Sequence, residues 1–269
     1  MRIESITSAQ NPKIKTLLEL QEKSKARRRE GLFVVEGQRE LEHCMSTGYE
    51  VHTVFICREI TGERGFNDIC RVVEAGASCN VIEIPKVLYE KVAYRGSTEG
   101  VIAELHCREH SLENLNLKDN PVVVVLESVE KPGNLGAVLR SADAAGVDAV
   151  IVCDPLTDLY NPNLIRSSIG GIFTVPTAVA TSEETIKWLK AKDIKIYTAQ
   201  LQDSEWYYDT DMTGGTAIVM GTEATGLTDI WREAADAHIK IPMLGRLDSL
   251  NVSVSAAILM YEAVRQRNV

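Results

Sequence analysis

Three segments in the second half of the chain combine glycine-containing loops with polar side chains that could do chemistry. In the first, "EKPGNLGAVLRSADAAG" (residues 130–146), Asn134 lies in a glycine loop and Arg140 follows one helical turn later. The planar guanidinium of Arg140 can grip a phosphate or a carboxylate, and the Asn134 amide can hold the loop or position a hydroxyl. Taken alone, the segment fits either an anion-binding arginine or a surface arginine whose stem packs on its helix.

The other two segments repeat the pattern of a strand that ends in a glycine loop. "AIVMGTEATGL" (residues 217–227) places Gly221 and Glu223 after an apolar run, and glycine lets the backbone approach a ligand closely. "IKIPMLGRLDSLNVSVSAAILMYEAVRQR" (residues 239–267) leads from a strand to a helix that Asn251 or Ser249 can cap. Each segment alone also fits an ordinary turn or simple helix packing.

A nicotinamide-dinucleotide site is one alternative reading of the first segment. A strand, a glycine turn and a helix are followed by a strand that ends at Asp154, an acid at the distance expected for a ribose contact. The required G-x-G-x-x-G spacing is absent, however, and the second and third segments stay unexplained. An oxidoreductase is therefore the weaker interpretation.

From Pro121 onward, predicted strands alternate with predicted helices, and these elements must position the three segments. Strands are predicted at "VVVVLE", "DAVIVCD", "GIFTVP", "IKIYTA", "TAIVMG" and "AHIKIP", and helices at "LGAVLRSADAA", "EETIKWLKAK", "LTDIWREA" and "VSVSAAILMYEAVRQR". Continuous apolar strands alternating with helices predict an α/β fold, a mostly parallel sheet covered on both faces. We expect this domain over residues 120–269, a small N-terminal α/β domain over 1–105, and a polar, unpatterned linker over 106–119.

Charge is unevenly distributed along the chain. The net charge of −9 and the pI near 5.2 argue against a nucleic-acid partner when taken alone. Residues 13–29, however, hold seven Lys and Arg against two Glu, a local charge of +5. Such a stripe is either a solvated helix face or a surface that tracks phosphates.

Cysteine use and the N-terminal sequence indicate the compartment. None of the six cysteines forms a C-x-x-C pair or a zinc-like spacing, which predicts buried or half-buried thiols and no metal. "MRIESITSAQNPKIK" lacks the apolar core of a signal peptide, and no apolar run is long enough for a bilayer. We expect a cytoplasmic protein without a membrane partner.

Together and in this order, the three segments resemble the three motifs of the SpoU (TrmH-type) RNA 2′-O-ribose methyltransferases of the SPOUT superfamily. "NPNLIRSSIGGIFTVP" (residues 161–176) resembles a further segment of that family. Residues 6–44 are similar to the small RNA-binding domain that many of these enzymes carry. One departure is Lys131, which stands before Pro132 where many members have an aspartate.

The resemblance implies a fold, a cofactor and an assembly. It implies a trefoil knot in the C-terminal domain, bound S-adenosylmethionine, no metal, and a homodimer in which the partner chain supplies the catalytic arginine. The substrate it implies is RNA, more specifically 23S ribosomal RNA. Transfer RNA, or a non-catalytic RNA-binding or ribosome-assembly factor of the same fold, are the alternatives.

The resemblance also assigns roles to residues. Arg140 acts near the 2′-hydroxyl, either as general base or, because arginine stays protonated at ordinary pH, by holding phosphate and stabilising an oxyanion. The remaining catalytic assignments are Asn134, Glu223, Asn251 and Ser253. The cofactor assignments are Thr198, Ala199, Gly221, Ile241 and Leu250. The RNA-binding assignments are Lys13, Lys15, Lys25, Arg27, Arg28, Arg29 and Arg166.

Overall fold

The computed structural model describes residues 3–76, 79–94, 99–222 and 224–267. The chain divides into two units. The first contains Met1–Arg108 and Tyr160–Ile165, and the second contains Glu109–Leu159 and Arg166–Val269. Within the described residues, no helix combines the length and apolar character needed to cross a membrane.

The first unit is built on a five-stranded mixed sheet. Its strands are β1 (Ile3–Ser5), β2 (Leu32–Glu36), β3 (Val51–Ile56), β4 (Asn80–Glu83) and β5 (Val101–His106). Their spatial order is β1-β4-β3-β5-β2. β1, β4 and β3 are parallel, and β5 is antiparallel to both β3 and β2.

Helices of the first unit surround this sheet. They are α1 (Pro12–Glu22), α2 (Ser24–Glu30), α3 (Gln38–Ser46), α4 (Arg58–Gly76, interrupted at Gly62) and α5 (Lys86–Val92). α1 begins where the Asn11 side chain accepts a hydrogen bond from the Lys13 amide at 2.9 Å. Its apolar stripe, Ile14, Leu17 and Leu20, is fully buried in one core with strand residues of the sheet.

The second unit is built on a seven-stranded sheet in which every described pairing is parallel. Its strands are β6 (Val122–Glu127), β7 (Ala149–Cys153), β8 (Thr177–Ala180), β9 (Lys195–Ala199), β10 (Glu205–Trp206), β11 (Thr216–Met220) and β12 (Ala237–Lys240). Their order is β10-β12-β9-β11-β6-β7-β8. All the carboxyl ends therefore meet at one edge, where ligands of parallel sheets bind.

Helices cover both faces of this sheet. They are α6 (Pro132–Ala145), α7 (Pro162–Ser168), α8 (Gly171–Thr174), α9 (Ser182–Ala191), α10 (Asp229–Ala234) and α11 (Val252–Arg267). Leu189 of α9 and Trp231 of α10 are buried with one set of alternating strand residues. α6 packs against α11, and α11 contacts β6 and β11. The predicted α/β architecture with a covered, mostly parallel sheet is confirmed, whereas the trefoil knot stays a prediction.

Two predictions about elements are wrong. The segment "GIFTVP" forms the short helix α8, because Gly170 adopts φ +84° and its carbonyl accepts from the Phe173 amide; β8 begins only at Thr177. The supposed linker is packed from Glu109 onward, since Leu112 and Leu115 are buried in the core of the second unit. There the His110 carbonyl accepts a hydrogen bond from the Val179 amide at 2.7 Å.

Candidate active site

The first and third motifs meet through a pair of asparagine side chains. The Asn251 amide nitrogen donates to the Asn134 side-chain oxygen at 3.1 Å, although the two residues are 117 positions apart. Asn134 lies in the first turn of α6, and Asn251 immediately precedes α11. The contact therefore ties the starts of two packed helices and fixes how the Asn134 amide is turned.

Asn251 also organises the start of α11. Its side-chain oxygen accepts from the Ser253 amide at 3.0 Å and from the Ser253 hydroxyl at 2.6 Å. Its carbonyl accepts from the amides of Val254 and Ser255. Asn251, rather than Ser249, is thus the residue that caps this helix. Three of the predicted catalytic residues, Asn134, Asn251 and Ser253, are brought together.

The second motif forms a tight loop after β11. Thr222 and Gly226 exchange backbone hydrogen bonds at 3.2 and 3.0 Å, which closes the loop on itself. A Cβ atom at Gly221 would lie 2.2 Å from the Gly226 carbonyl oxygen, so a side chain is excluded there. Glu223, the predicted catalytic acid of this loop, lies outside the described residues.

A cavity of about 320 Å³ lies beside these groups. Its wall comes from the segment after β6, from the loop after β11 and from the start of α11. The lining residues are Val129, Glu130, Lys131, Asn134, Gly221, Thr222, Ala224 and Val252. A volume of this order lies at the lower end of the roughly 300–1,000 Å³ typical of small-molecule sites.

Arg140 lies on the same helix as Asn134 but does not join this cavity. Its side chain is exposed, and among the described residues no hydrogen bond or ion pair engages its guanidinium. The described lining of the cavity includes Asn134 and omits Arg140. The structure therefore places the two predicted catalytic side chains apart within one chain.

The predicted cofactor residues lie at the carboxyl edge of the sheet. Thr198 and Ala199 end β9, and the buried Thr198 hydroxyl is 2.6 Å from Nδ1 of His238 on β12. Ile241 follows β12 and is half-buried, whereas Leu250 is 39% exposed. Because the Thr198 side chain is engaged by His238, only its backbone can face a ligand without rearrangement.

The predicted RNA-binding residues fall into two groups. Lys13, Lys15, Lys25, Arg28 and Arg29 are exposed on α1 and α2, and Arg166 is exposed on α7. Lys13 pairs with Glu4, and Arg29 pairs with Glu19 and Glu30.

Arg27 is a correction to the RNA-binding prediction. Its side chain is only 3% exposed, and Nη1 donates to the carbonyls of Leu20 and Gln21 at 2.6 and 3.2 Å. The guanidinium thus satisfies the carbonyls at the end of α1, which have no partner inside the helix. Arg27 holds α1 against α2 and is not available to RNA.

Several site residues escaped the sequence analysis. Thr222, Ala224 and Val252 line the cavity, and their only signal was adjacency to the motif residues. Gln200, directly after β9, has a buried side-chain oxygen with no hydrogen-bond partner in the described part of the chain. Within that same part, no cluster of His, Cys, Asp and Glu has a metal-binding arrangement.

Comparison with known proteins agrees with this arrangement. The SpoU rRNA Methylase family matches residues 121–261, and the MRM3-like substrate binding domain matches residues 11–103. The chain is 29% identical over 259 residues to the 23S rRNA (guanosine(2553)-2′-O)-methyltransferase RlmP of Bacillus subtilis (strain 168), covering 96% of this chain and 98% of that protein.

Solved structures show the same likeness over the full length. A crystal structure of an RNA 2′-O ribose methyltransferase is 37% identical, with a TM-score of 0.83, covering 98% of this chain and 100% of that one. The AdoMet-bound rRNA methyltransferase from Sinorhizobium meliloti is 26% identical, with a TM-score of 0.89 and 98% coverage of both chains.

The parallel sheet, the three loops at its carboxyl edge and these likenesses define the class as a SPOUT-type methyltransferase. Within that class, the chain belongs to the SpoU rRNA methylase family. The family resemblance expected from the three motifs is confirmed.

Proposed function

We propose that this protein methylates a ribose 2′-hydroxyl of 23S ribosomal RNA in the cytoplasm, with S-adenosylmethionine as the methyl donor. The family membership and the activity of the Bacillus subtilis relative support the reaction and the RNA class. The structural observation that carries the proposal is the cavity at which Asn134, Gly221 and the start of α11 converge.

The residues at the sheet edge fit S-adenosylmethionine. The cavity offers space beside Gly221, and the orphaned oxygen of Gln200 is an acceptor of the kind that a purine amino group satisfies. We assign the backbone of Thr198, Ala199, Gly221, Ile241 and Leu250 to hold this ligand. When bound, it supplies a methyl group on a positively charged sulfur.

The asparagine pair orients the substrate in this proposal. Because Asn251 donates to the Asn134 oxygen, the Asn134 amide nitrogen is turned away from Asn251, and we assign the Asn134 amide to contact the ribose. Ser253 holds Asn251 through two hydrogen bonds and so acts one step further back. A catalytic role for Glu223 stays a prediction. Alignment of the hydroxyl with the methyl group supplies much of the rate.

Arg140 acts at the site of a second copy of the chain. Its exposed guanidinium, which is not part of the lining of its own cavity, suits a group that holds the phosphate next to the target ribose and stabilises the developing 2′-oxyanion. Exposed apolar side chains near the third motif support a homodimer. They include Leu247, 76% exposed, and Val254 and Tyr261, which lie two turns apart on one face of α11.

The N-terminal unit binds RNA remote from the chemistry. Its match to a substrate-binding domain covers α1 and α2, which carry the exposed Lys13, Lys15, Lys25, Arg28 and Arg29. These side chains give an otherwise acidic protein a local surface for phosphates. We assign residues 1–105 to substrate binding and residues 120–269 to methyl transfer.

Mapping of ribose methylation in ribosomal and transfer RNA, from cells with and without the gene, tests the proposal. We expect one 23S site to be lost on deletion, restored by the wild-type gene and not by Arg140→Ala. The Arg140→Ala protein should still bind S-adenosylmethionine, which shows that it is folded. If a transfer-RNA site were lost instead, the substrate would be transfer RNA and not 23S ribosomal RNA. Loss of no site, or restoration by Arg140→Ala, would contradict the proposed reaction.

A further inference from the structure

A buried carboxylate joins two parts of the cavity wall. Glu127 is the last residue of β6 and is 3% exposed. Its Oε2 accepts from the Thr228 amide at 2.9 Å, and its Oε1 accepts from the Thr228 hydroxyl at 2.5 Å. Both oxygens of one buried acid thus accept from one residue, 101 positions away, and Oε1 also accepts from the Ser182 hydroxyl at 3.4 Å.

The two residues in this contact adjoin different parts of the cavity. The chain runs from Glu127 directly into Val129, Glu130 and Lys131, which form one part of the wall. Thr228 directly follows the loop of Gly221, Thr222 and Ala224, which forms another part. The Glu127–Thr228 contact therefore fixes how far these two parts of the wall lie from each other.

Among the described residues, few other contacts hold the loop after β11. It begins at the end of β11 and is closed by the Thr222–Gly226 backbone pair, which holds the loop to itself. Leu227 is buried in the core, and Thr228 is held by Glu127. The two hydrogen bonds from Thr228 to the buried Glu127 carboxyl are therefore the polar anchor of the loop's far end.

A neighbouring acid holds a different element. Asp154, after β7, accepts from the amide and the hydroxyl of Ser182 at 3.1 and 2.7 Å. The Ser182 hydroxyl in turn accepts from Nε1 of Trp231 at 3.0 Å. This second acid ties α9 and α10 to the sheet edge and makes no described hydrogen bond to the cavity loop. It shares the Ser182 hydroxyl with Glu127, so it serves as a control only when the exchange of the loop is measured beside the affinity.

We propose that Glu127 is a positioning residue that sets the spacing of the cavity wall and thereby the affinity for S-adenosylmethionine. The inference rests on the proposed function, because the ligand is the one proposed above. Glu127 is not among the residues assigned from the motifs. The inference explains why the apolar run "VVVVLE" ends in an acidic residue.

The test compares ligand binding by calorimetry in wild type, Glu127→Gln and Asp154→Asn. Glutamine keeps the size of Glu127, but its NH₂ group cannot accept one of the two Thr228 hydrogen bonds. We expect the Kd of Glu127→Gln for S-adenosylmethionine to rise about tenfold, the cost of about one buried hydrogen bond. Asp154→Asn should keep the wild-type Kd, and asparagine tolerates the φ of +49° at that position.

A second pair of variants separates positioning from general loss of stability. Thr228→Ser keeps both donors and should keep the wild-type Kd, whereas Thr228→Val loses the hydroxyl and should weaken binding as Glu127→Gln does. The double variant should be no weaker than either single one, because both remove the same interaction. Hydrogen exchange of the free protein should show faster exchange in residues 221–228 for Glu127→Gln and Thr228→Val alone.

The outcomes are distinguishable. Wild-type affinity and unchanged loop exchange in a folded Glu127→Gln protein would overturn the inference while the proposed function stands. Equal weakening by Asp154→Asn, with unchanged exchange of residues 221–228 in both variants, would also overturn it, since both acids would then act through stability and not through the loop. If wild type itself bound no S-adenosylmethionine, the proposed function would fall, and this inference with it.

Discussion

Glu104, a buried acid of the first unit, shows how strongly one residue can couple stability to pH. It is 4% exposed on β5, with His52 Nδ1 at 3.4 Å and Thr53 beside it, while its Oε1 has no partner among the described residues. Burial raises the pKa of the Glu104 carboxyl to about 7, despite opposing effects of Thr53 and Lys13. The folded state therefore prefers the protonated acid near neutral pH.

Glu104→Gln should remove this pH dependence. A raised folded pKa gives a stability contribution that is complete below the unfolded value of 4.5 and is lost as pH rises through about 7. We therefore expect the variant to be more stable than wild type at pH 8, by about 3 kcal/mol at most, and equal to it near pH 4.5. Hydrogen exchange of β3 and β5 amides, corrected for intrinsic rates, measures the unfolding free energy of this unit.

His52 changes the stability with pH in the direction opposite to Glu104. The variant must therefore be compared with wild type at each pH. Burial and the neighbouring His106 and Lys13 lower the pKa of His52, so its contribution is lost as pH falls. The difference between Glu104→Gln and wild type largely cancels that background. A stability difference that stays constant from pH 5 to pH 8 would contradict the assignment to Glu104.

At the residue scale, the motifs contain residues that the fold brings together, but their spacing does not reveal the contacts. Asn134, Asn251, Ser253 and Gly221 adjoin one another as the family resemblance implies. Spacing along the chain carries no information about contacts over 117 positions, so the asparagine pair could be seen only in the structure. Arg27 was misassigned because a charge count does not reveal which arginine turns inward to cap a helix.

At the element scale, continuous apolar runs predicted the central strands of the parallel sheet and the helix α11 well. The ends of such a run can be read from the sequence, because hydrophobicity is a property of the residues themselves and needs no distant contact. The less regular elements could not be found this way. α4 is broken at Gly62 with φ +69°, and β10 is two residues long, so neither presents a clear period. The helix α8 was read as a strand because "GIFTVP" is rich in β-branched and aromatic residues.

The start of α6 combines poor helix capping with a position at the cavity. Lys131 is the N-cap residue, its side chain makes no capping hydrogen bond, and the first turn contains no acidic residue. A cation there opposes the positive end of the helix dipole. Lys131 also lines the cavity, so its charge lies beside any polyanion bound there. Stability and substrate binding therefore make opposite demands on this position.

Lys131→Asp should make the second unit more stable and RNA binding weaker. Aspartate can cap α6 and complement its dipole, which together contribute about 1 kcal/mol. The three tryptophans, Trp188, Trp206 and Trp231, all belong to the second unit, so fluorescence during urea unfolding reports on it alone. The KM for RNA, measured against salt concentration, gives the second effect.

Lys131→Met is the control for this pair of effects, because it removes the charge without adding a cap. It should lower the salt dependence of RNA binding by about one charge contact and gain less stability than aspartate. A Lys131→Asp protein that is no more stable than wild type would contradict the capping argument. Unchanged RNA binding in both variants would remove Lys131 from the substrate surface.

At the scale of the whole molecule, the separation of Asn134 and Arg140 requires explanation. The two residues are six positions apart on α6, which places their side chains about 120° apart around the helix axis. The described lining of the cavity accordingly includes Asn134 and not Arg140. A second copy of the chain can supply the arginine, and a two-fold symmetric dimer would then hold two composite sites.

Mixing two inactive variants tests this assembly. Arg140→Ala keeps the asparagine pair, and Asn134→Ala keeps the arginine, so each homodimer lacks one component at both of its sites. If the arginine acts across the interface, a mixed dimer has one site with both components intact and one with neither. Random association of equal amounts makes half of the dimers mixed, so methylation should return to about a quarter of the wild-type rate.

The two proteins are co-expressed with different affinity tags, and the doubly tagged dimer is assayed alongside each parent. If the arginine acts within its own chain, every site in the mixture still lacks one component, and the doubly tagged dimer stays as inactive as its parents.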